Sequence, residues 1–128
     1  MTMNNTEFKL AVIEAIDKTV AQGQLGRGVR GYCAYTTANY DGNEICCPVG
    51  HMMPDVDTRE KADGIGGVGT LYSNDLPWVQ QFSTAQVVVL KKLQYLHDDS
   101  DTKFANFKEL SNERIVPLLE DLCKGRQL

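Results

Sequence analysis

The chain has 128 residues, of which 42% are hydrophobic and 23% are charged. This length and composition predict a soluble protein of one domain, residues 1–128, and no stretch approaches the roughly 20 apolar residues of a membrane-spanning helix. The net charge of −4 arises from 17 acidic and 13 basic residues without long blocks of either sign, which argues against a basic surface for nucleic acid. The polar N-terminus lacks the pattern of a secretory signal, so we expect a cytoplasmic protein.

The sequence contains four cysteines, at positions 33, 46, 47 and 123. Cytoplasmic thiols usually stay reduced, so a disulfide framework is not expected despite the even number. The thiols are instead candidates for packing, metal binding or redox chemistry.

Residues 6–22 form the first predicted element, an amphipathic helix. Its apolar side chains share one helical stripe: Phe8, Val12, Ala15, Ile16 and Val20. Asn5 or Thr6 is expected to cap the start of this helix, and Gly23 or Gly26 is expected to end it.

After Val29 the pattern changes to short runs rich in Tyr, Thr and Val, interrupted by turn-forming residues at 38–43 that include an Asp-Gly pair. This pattern predicts a β-hairpin. A loop centred near Tyr40 would create two cross-strand pairs, Cys33 with Cys47 and Tyr35 with Ile45. Pro48 lacks a backbone donor, so the second strand should end there or lie at a sheet edge.

The stretch between the hairpin and residue 78 contains a short predicted helix, because Asp57 and Glu60 have capping-box spacing. Four glycines then fall between residues 64 and 69. They could present backbone N–H groups to an anion, but they lack the Lys-Ser/Thr ending of a phosphate-binding loop, and a turn is the alternative. The region through Trp78 is expected to be irregular.

Residues 84–97 are predicted to form the central helix, because Ser83 and Gln86 make a second capping box before a run of valines and leucines. Asp101 is expected to cap a further helix, which Pro117 should break between residues 112 and 116. The predicted fold is α+β: an N-terminal helix, a small antiparallel hairpin or sheet, and two C-terminal helices.

Three short motifs stand out: Cys33-x-Tyr35, Cys47-x-Val49-Gly50-x-x-x-Pro54-Asp55, and Leu93-Gln94-x-x-His97-Asp98. Together they resemble a small, largely uncharacterised family found in bacteriophage and prophage genomes. Pro48 stands where that family usually has alanine, and His51 occupies a variable position. The resemblance implies a phage protein that acts in the host cytoplasm.

A metal site can be drawn from residues with suitable donor atoms: Cys33, Cys47, His51 and His97. Their spacing is not that of a zinc motif, and small buried thiols are common in cores. We therefore expect neither a metal nor another cofactor.

A nucleophilic site would use Cys47 as the attacking thiol and His97 as its base, with Asp98 or Asp101 orienting the imidazole. The N–H groups of residues 50 and 51 would then have to form an oxyanion hole. No spacing in the sequence supports this set, so no catalytic residue is predicted.

A structural role for His97 is the favoured interpretation. Its position in the last turn of the central helix places it at the edge of the core, near exposed carbonyl groups. Gln94 and His97 beside Tyr35 could still form a small polar pocket.

The function favoured by these observations is non-enzymatic binding that inhibits or redirects a host bacterial protein, for example in a defence system. The alternatives are a sponge for a small nucleotide signal and a metal- or thiol-dependent enzyme, and a homodimer is left open. The loop-rich stretch from residue 51 to residue 78 is expected to contribute to the partner surface. The candidate ligand- or partner-binding residues are Tyr35, His51, Gly66, Gly67, Tyr72, Trp78, Gln94, His97 and Asp98.

Overall fold

The computed structural model describes residues 2–27, 34–39 and 41–125. This part of the chain is mostly helical and has one two-stranded antiparallel sheet, which confirms the α+β prediction. The elements are α1 (Asn5–Ala21), β1 (Thr37–Ala38), β2 (Glu44–Ile45), α2 (Pro48–Met52), α3 (Val56–Ile65), α4 (Val68–Ser73), a 3-10 helix (Pro77–Gln81), α5 (Thr84–Asp98), α6 (Phe104–Arg114) and α7 (Val116–Cys123).

The cap of α1 lies one residue earlier than the sequence indicated. Asn4 Oδ1 accepts from the N–H of Glu7 at 2.8 Å, and the Glu7 carboxylate accepts from the N–H of Asn4 at 3.3 Å. This capping box satisfies two N–H groups that have no partner within the helix. At the other end, Gly23 adopts a φ of +85°, so the predicted stop at this glycine is confirmed.

The hairpin has a different register from the predicted one. Thr37, not Tyr35, pairs with Ile45. The side chain of Asn39 accepts from the N–H groups of Asp41 and Asn43, which moves the centre of the turn toward the C-terminus. Tyr35 consequently precedes the sheet, and the predicted pairing of Cys33 lies outside the described residues.

The expectation of an irregular segment before Trp78 is wrong, because α2, α3, α4 and the 3-10 helix fill it. Asp55, not Asp57, caps α3 by accepting from the N–H of Thr58 at 2.8 Å. Gly66, with a φ of +136°, ends α3, and Gly67 directly precedes α4. The glycines therefore separate short helices whose 5 to 10 residues are too few to show a clear apolar period.

The C-terminal half follows the sequence more closely. The predicted capping box of Ser83 and Gln86 begins α5. Lys103 precedes α6 and its N–H donates to Asn106, so the predicted cap at Asp101 is wrong. The predicted break is confirmed at Ile115, where α6 gives way to α7 with Pro117 in its first turn.

The core forms around α5, which packs against α2, α4, α6 and α7, while α1 packs against α2, α6 and α7. Every third or fourth residue of α5 faces inward, as an amphipathic helix requires. Its buried residues are Gln86, Val87, Val89, Leu90, Leu93, Leu96 and His97. The opposite face of α5 is left toward solvent.

Candidate functional site

Gln94 joins three parts of the chain. Its Oε1 accepts from the N–H of Val68 at 2.9 Å, and its Nε2 donates to the hydroxyl of Tyr35 at 2.9 Å. The Tyr35 hydroxyl in turn donates to the carbonyl of Gly66 at 2.8 Å. The backbone N–H of Val68 can only donate, so Oε1 of Gln94 must be the acceptor and Nε2 the donor to Tyr35. Together these hydrogen bonds hold the start of α4 against α5.

Tyr35 is buried, and burial raises the pKa of its hydroxyl. The backbone around it is held by Asp63, whose carboxylate accepts from the N–H groups of Tyr35 and Thr36. The hydroxyl therefore acts as a fixed, protonated hydrogen-bond donor. This is a positioning role within the fold.

His97 is fully buried, and both of its ring nitrogens have partners. Nε2 accepts from the N–H of Gly26 at 3.0 Å, so the ring proton is on Nδ1, where it faces Asp98 Oδ1 at 3.0 Å. An edge-to-face contact with Phe107 fills the remaining side of the ring. The structural role predicted for His97 is therefore what the geometry shows.

Arg27 completes the end of α5. Its guanidinium donates to the carbonyls of His97, Asp99 and Thr102 at 2.6 to 3.2 Å. The last carbonyls of a helix have no partner within it and carry its negative dipole end, so a cation there satisfies both needs. The segment around residues 26 and 27 thus anchors the C-terminal end of α5.

A groove of about 750 Å³ runs between α4 and the C-terminal half of α5. We call it the α4–α5 groove. Residues 67–70 and Ser73 form one wall, and the other is formed by Lys91, Gln94, Tyr95 and Asp98, with residues 99 and 100 at the end. Gly69 leaves the space in which the Lys91 side chain lies, because a Cβ there would be 3.0 Å from Lys91 Cε. The groove therefore has a cation toward one end and carboxylates at the other.

The structure brings together six of the nine candidate residues. Gly67, Gln94 and Asp98 line the α4–α5 groove, while Tyr35, Gly66 and His97 support its floor and end. Tyr72 lies on α4 but does not line the groove, and it is 42% exposed. Trp78 is half-buried and packs edge-on against Phe82, with ring centroids 4.9 Å apart. His51 lies at a separate place on α2.

His51 is half-buried in a cavity of about 310 Å³ that is also lined by Lys18 and Arg59. Burial lowers the pKa of His51 to about 4, and the charges of Arg59 and Lys18 act in the same direction. Its Nε2 is 2.8 Å from Gln22 Oε1. Gln22 uses its amide nitrogen to donate to two carbonyls, so the proton of this bond belongs to His51.

The free energy of unfolding should therefore fall as the pH is lowered from 7 toward 4. The unfolded state takes up a proton on His51 near pH 6.5, whereas the folded state resists it until about pH 4. We expect a contribution on the order of 1 kcal/mol, because the partly exposed ring is screened by solvent. Urea unfolding at pH 7 and pH 5 should show a smaller decrease for His51→Gln than for the original chain. Equal decreases in the two proteins would contradict this account.

The nucleophilic set weighed as an alternative, Cys47 with His97 as its base, is not supported by the geometry. Cys47 is fully buried and disulfide-bonded, which corrects the expectation of a reduced thiol at this position. The N–H of Gly50 donates to Cys47 Sγ and that of His51 to the Cys47 carbonyl, so neither is directed at a substrate. Burial raises the pKa of the neighbouring Cys46 thiol to about 11.

No group of three His, Cys, Asp or Glu side chains within the described ranges is arranged to hold a metal ion. Cys33, which the sequence offered as one ligand, lies outside those ranges.

Several residues of the groove and its support were not singled out from the sequence as site residues. Lys91, Tyr95 and Asp99 line the groove, and Gly26 and Arg27 anchor its end. Tyr95 had a usable signal, because it is an aromatic residue on the polar side of an amphipathic helix. Gly26 and Arg27 had none, since their partners lie about 70 residues away in sequence.

No protein-family model, no curated protein and no solved structure matches this chain. Among the described helices, none combines the length and the apolar character needed to cross a membrane.

Proposed function

We propose that this chain is a phage-encoded, non-enzymatic binding protein whose binding site is the α4–α5 groove. In this proposal it associates stoichiometrically with a host bacterial protein and inhibits or redirects it, as an anti-defence factor would. The phage origin and the host target rest on the resemblance of the three motifs. The binding site rests on the groove, which falls where six of the nine candidate residues meet.

The size and construction of the groove support a role in binding. Its volume of about 750 Å³ lies within the roughly 300–1,000 Å³ typical of ligand sites. The bonds of Gln94 to Val68 and Tyr35 hold the two walls together before any partner arrives. A site that is already ordered loses less conformational entropy on binding, which favours affinity.

The environment of His97 favours binding over catalysis. A general base must reach the proton that it removes, within about 3 Å or through one water molecule. The Nε2 atom of His97 is instead occupied by the N–H of Gly26 in a fully buried position. The His97–Asp98 pair therefore orients the end of α5 and exposes the remaining carboxylate surface of Asp98 to the groove.

The chemistry of the rim indicates what a bound protein segment would present. Tyr95 is 79% exposed and offers a planar apolar surface at the centre of the rim. Asp98 and Asp99 would accept hydrogen bonds from a basic side chain, whereas Lys91 would favour an acidic group about two helical turns away. The best-fitting segment thus carries an apolar or aromatic anchor between groups of opposite charge.

A small nucleotide is the second candidate ligand. The ring of Tyr95 could stack on a base, and Lys91 could approach a phosphate while the hydroxyls of Thr70 and Ser73 provide further polar contacts. The two carboxylates at the other end of the groove oppose a ligand with several phosphates. This balance ranks the nucleotide below a protein segment.

Blocking the groove tests the proposal. Ser73→Arg places a long side chain at the groove wall, while Tyr72→Arg places the same side chain on α4 outside the groove. With affinity capture from bacterial lysate and native mass spectrometry, Ser73→Arg should reduce retention of the partner or nucleotide at least tenfold, as expected for loss of a central contact. Tyr72→Arg should retain it.

Two outcomes would count against the proposal. Loss of the partner in Tyr72→Arg but not in Ser73→Arg would move the binding surface to the other side of α4. A full cellular effect from amounts of the protein far below those of its target would indicate turnover instead of stoichiometric association.

A further inference from the structure

The exposed face of α5 carries charges that are arranged symmetrically about Tyr95. Lys91 and Lys92 precede the tyrosine by four and three residues, and Asp98 and Asp99 follow it by three and four. With 3.6 residues per turn, residues three and four apart share one side of a helix, so all five lie on the same face. The face is therefore basic toward the N-terminal end and acidic toward the C-terminal end.

The cations of this face lack partners in the described chain. Lys9, Lys18, Arg59, Lys61 and Lys108 make ion pairs, while Arg27 and Lys103 bind backbone carbonyls. Across residues 2–27, 34–39 and 41–125, the remaining cations, without a hydrogen bond or ion pair, are Lys91, Lys92, Arg114 and Lys124. Three of these four lie beside Tyr95, so positive charge is concentrated there without an ion pair to any acidic group of the described residues.

Tyr95 stands between two depressions. On one side is the α4–α5 groove, and on the other is a second groove of about 300 Å³, which also includes Tyr95 and Asp99. The apolar wall of this second groove is formed by Leu96, Ile115 and Leu118, with Lys92 and Arg114 beside it. A large aromatic side chain with 79% exposure between two concave surfaces is a typical anchor of an interface.

We propose that the exposed face of α5 is a homodimer interface in which two copies pack antiparallel about a two-fold axis beside Tyr95. An interface of this symmetry must be complementary to itself. Antiparallel packing places Lys91 against Asp98 of the second copy and Lys92 against Asp99 of the second copy, and the same pairs repeat across the axis. Parallel packing would place like charges together, so the charge order selects the antiparallel arrangement.

A second copy accounts for this face better than an unrelated partner. The positions three and four residues before Tyr95 are positively charged, and the positions three and four residues after it are negatively charged. An antiparallel copy of the helix therefore places opposite charges against each other. An unrelated protein would impose no such symmetry. A nucleic acid or an acidic membrane surface would be repelled by the two carboxylates.

The dimer has a consequence for binding that rests on the proposed function. Lys91 and Asp98 both lie on the side of α5 that faces the α4–α5 groove. The dimer interface would use Tyr95, Lys91 and Asp98, which also form the rim contacts of the proposed function. A host segment that binds in the α4–α5 groove therefore competes with the second copy for this face.

Charge variants test the interface by sedimentation equilibrium over a concentration series. Lys91→Glu with Lys92→Glu creates repulsion at both ends of the interface. Asp98→Asn with Asp99→Asn removes attraction, while the new amides can still accept from His97 Nδ1 and from the N–H of Asp101. Each double variant should dimerise at least roughly tenfold more weakly than the original chain.

Mixing the two double variants should restore association. In the mixed dimer, one end joins two lysines to two aspartates, and the other end joins two glutamates to two neutral amides. The mixed pair should therefore be preferred over either variant alone. Tyr95→Ala should also weaken the dimer, whereas Tyr72→Ala, a matched change at another exposed tyrosine, should not.

The dimer should weaken as salt is raised from 0.05 M to 0.5 M, because the distance over which exposed charges interact falls from more than about 10 Å to a few ångströms. The proposal would be overturned if the original chain stayed monomeric up to about 100 µM, because only very weak association escapes detection at that concentration. Association that is unchanged in the lysine variant, or a mixture that stays monomeric, would also overturn it. Ser73→Arg should dimerise normally, so failure of the dimer and failure of partner binding are separate results.

Discussion

Replacing His97 with alanine should lower the free energy of unfolding by about 3 to 5 kcal/mol, as loss of a large, fully buried side chain usually does. The variant would leave the buried N–H of Gly26 without an acceptor and would open a cavity beside Phe107. Both effects weaken the contact between the segment before the hairpin and the end of α5. Urea unfolding at one protein concentration measures the change.

Asp98→Asn is the matched control for this prediction. The new side chain can still accept from Nδ1 of His97, and the original carboxylate is 31% exposed. We expect a change within about 1 kcal/mol, because the hydrogen bond from Nδ1 is kept and the carboxylate that is lost is partly exposed. A small effect of His97→Ala together with a large effect of Asp98→Asn would mean that the charge, and not the buried ring, holds α5.

Replacing Gly26 with alanine should destabilise the fold by at least about 3 kcal/mol, at the severe end of overpacking. A Cβ at this position would overlap the carbonyl carbon of Cys46 and the nitrogen of Cys47. These are backbone atoms, so no side-chain rotation can relieve the overlap. The shift would also strain the bond from the N–H of Gly26 to His97.

Gly64→Ala supplies the comparison at another glycine. Gly64 lies within α3, and a Cβ there would meet nothing within 4 Å. Alanine should stabilise the helix by about 0.5 to 1 kcal/mol, because glycine loses more backbone freedom on folding. Thermal unfolding should give a lower melting temperature for Gly26→Ala and a higher one for Gly64→Ala than for the original chain. A Gly26→Ala protein as stable as the original chain would contradict this account, because the backbone around Gly26 would then be able to move away from Cys46 without cost.

Features that depend on neighbouring residues were predictable. The capping box of Ser83 and Gln86, the end of α1 at Gly23 and the helix break before Pro117 each involve groups within about one helical turn. The apolar stripes of α1 and α5 likewise indicate which face of each helix is buried. These signals place the long helices because their causes are local.

Short elements were harder to predict. The hairpin register depends on how the Asn39 side chain shapes the turn, and two-residue strands carry too few side chains to correct an error in register. The helices α2, α3 and α4 are shorter than the windows in which an apolar period becomes clear. Gly66 and Gly67, which suggested a loose connector, lie instead where α3 ends and α4 begins.

The candidate site shows the same division. The motif residues Gln94, His97 and Asp98 were recognisable one turn apart on a helix, and that spacing alone places them near one another. Their partners Tyr35 and Gly26 lie 59 and 71 residues away along the chain. Hydrogen bonds over such separations form only when packing brings the segments together. The direction of the Gln94 amide, the proton position on His97 and the exposure of Tyr95 therefore followed from the folded arrangement, because each depends on atoms that the local sequence does not contain.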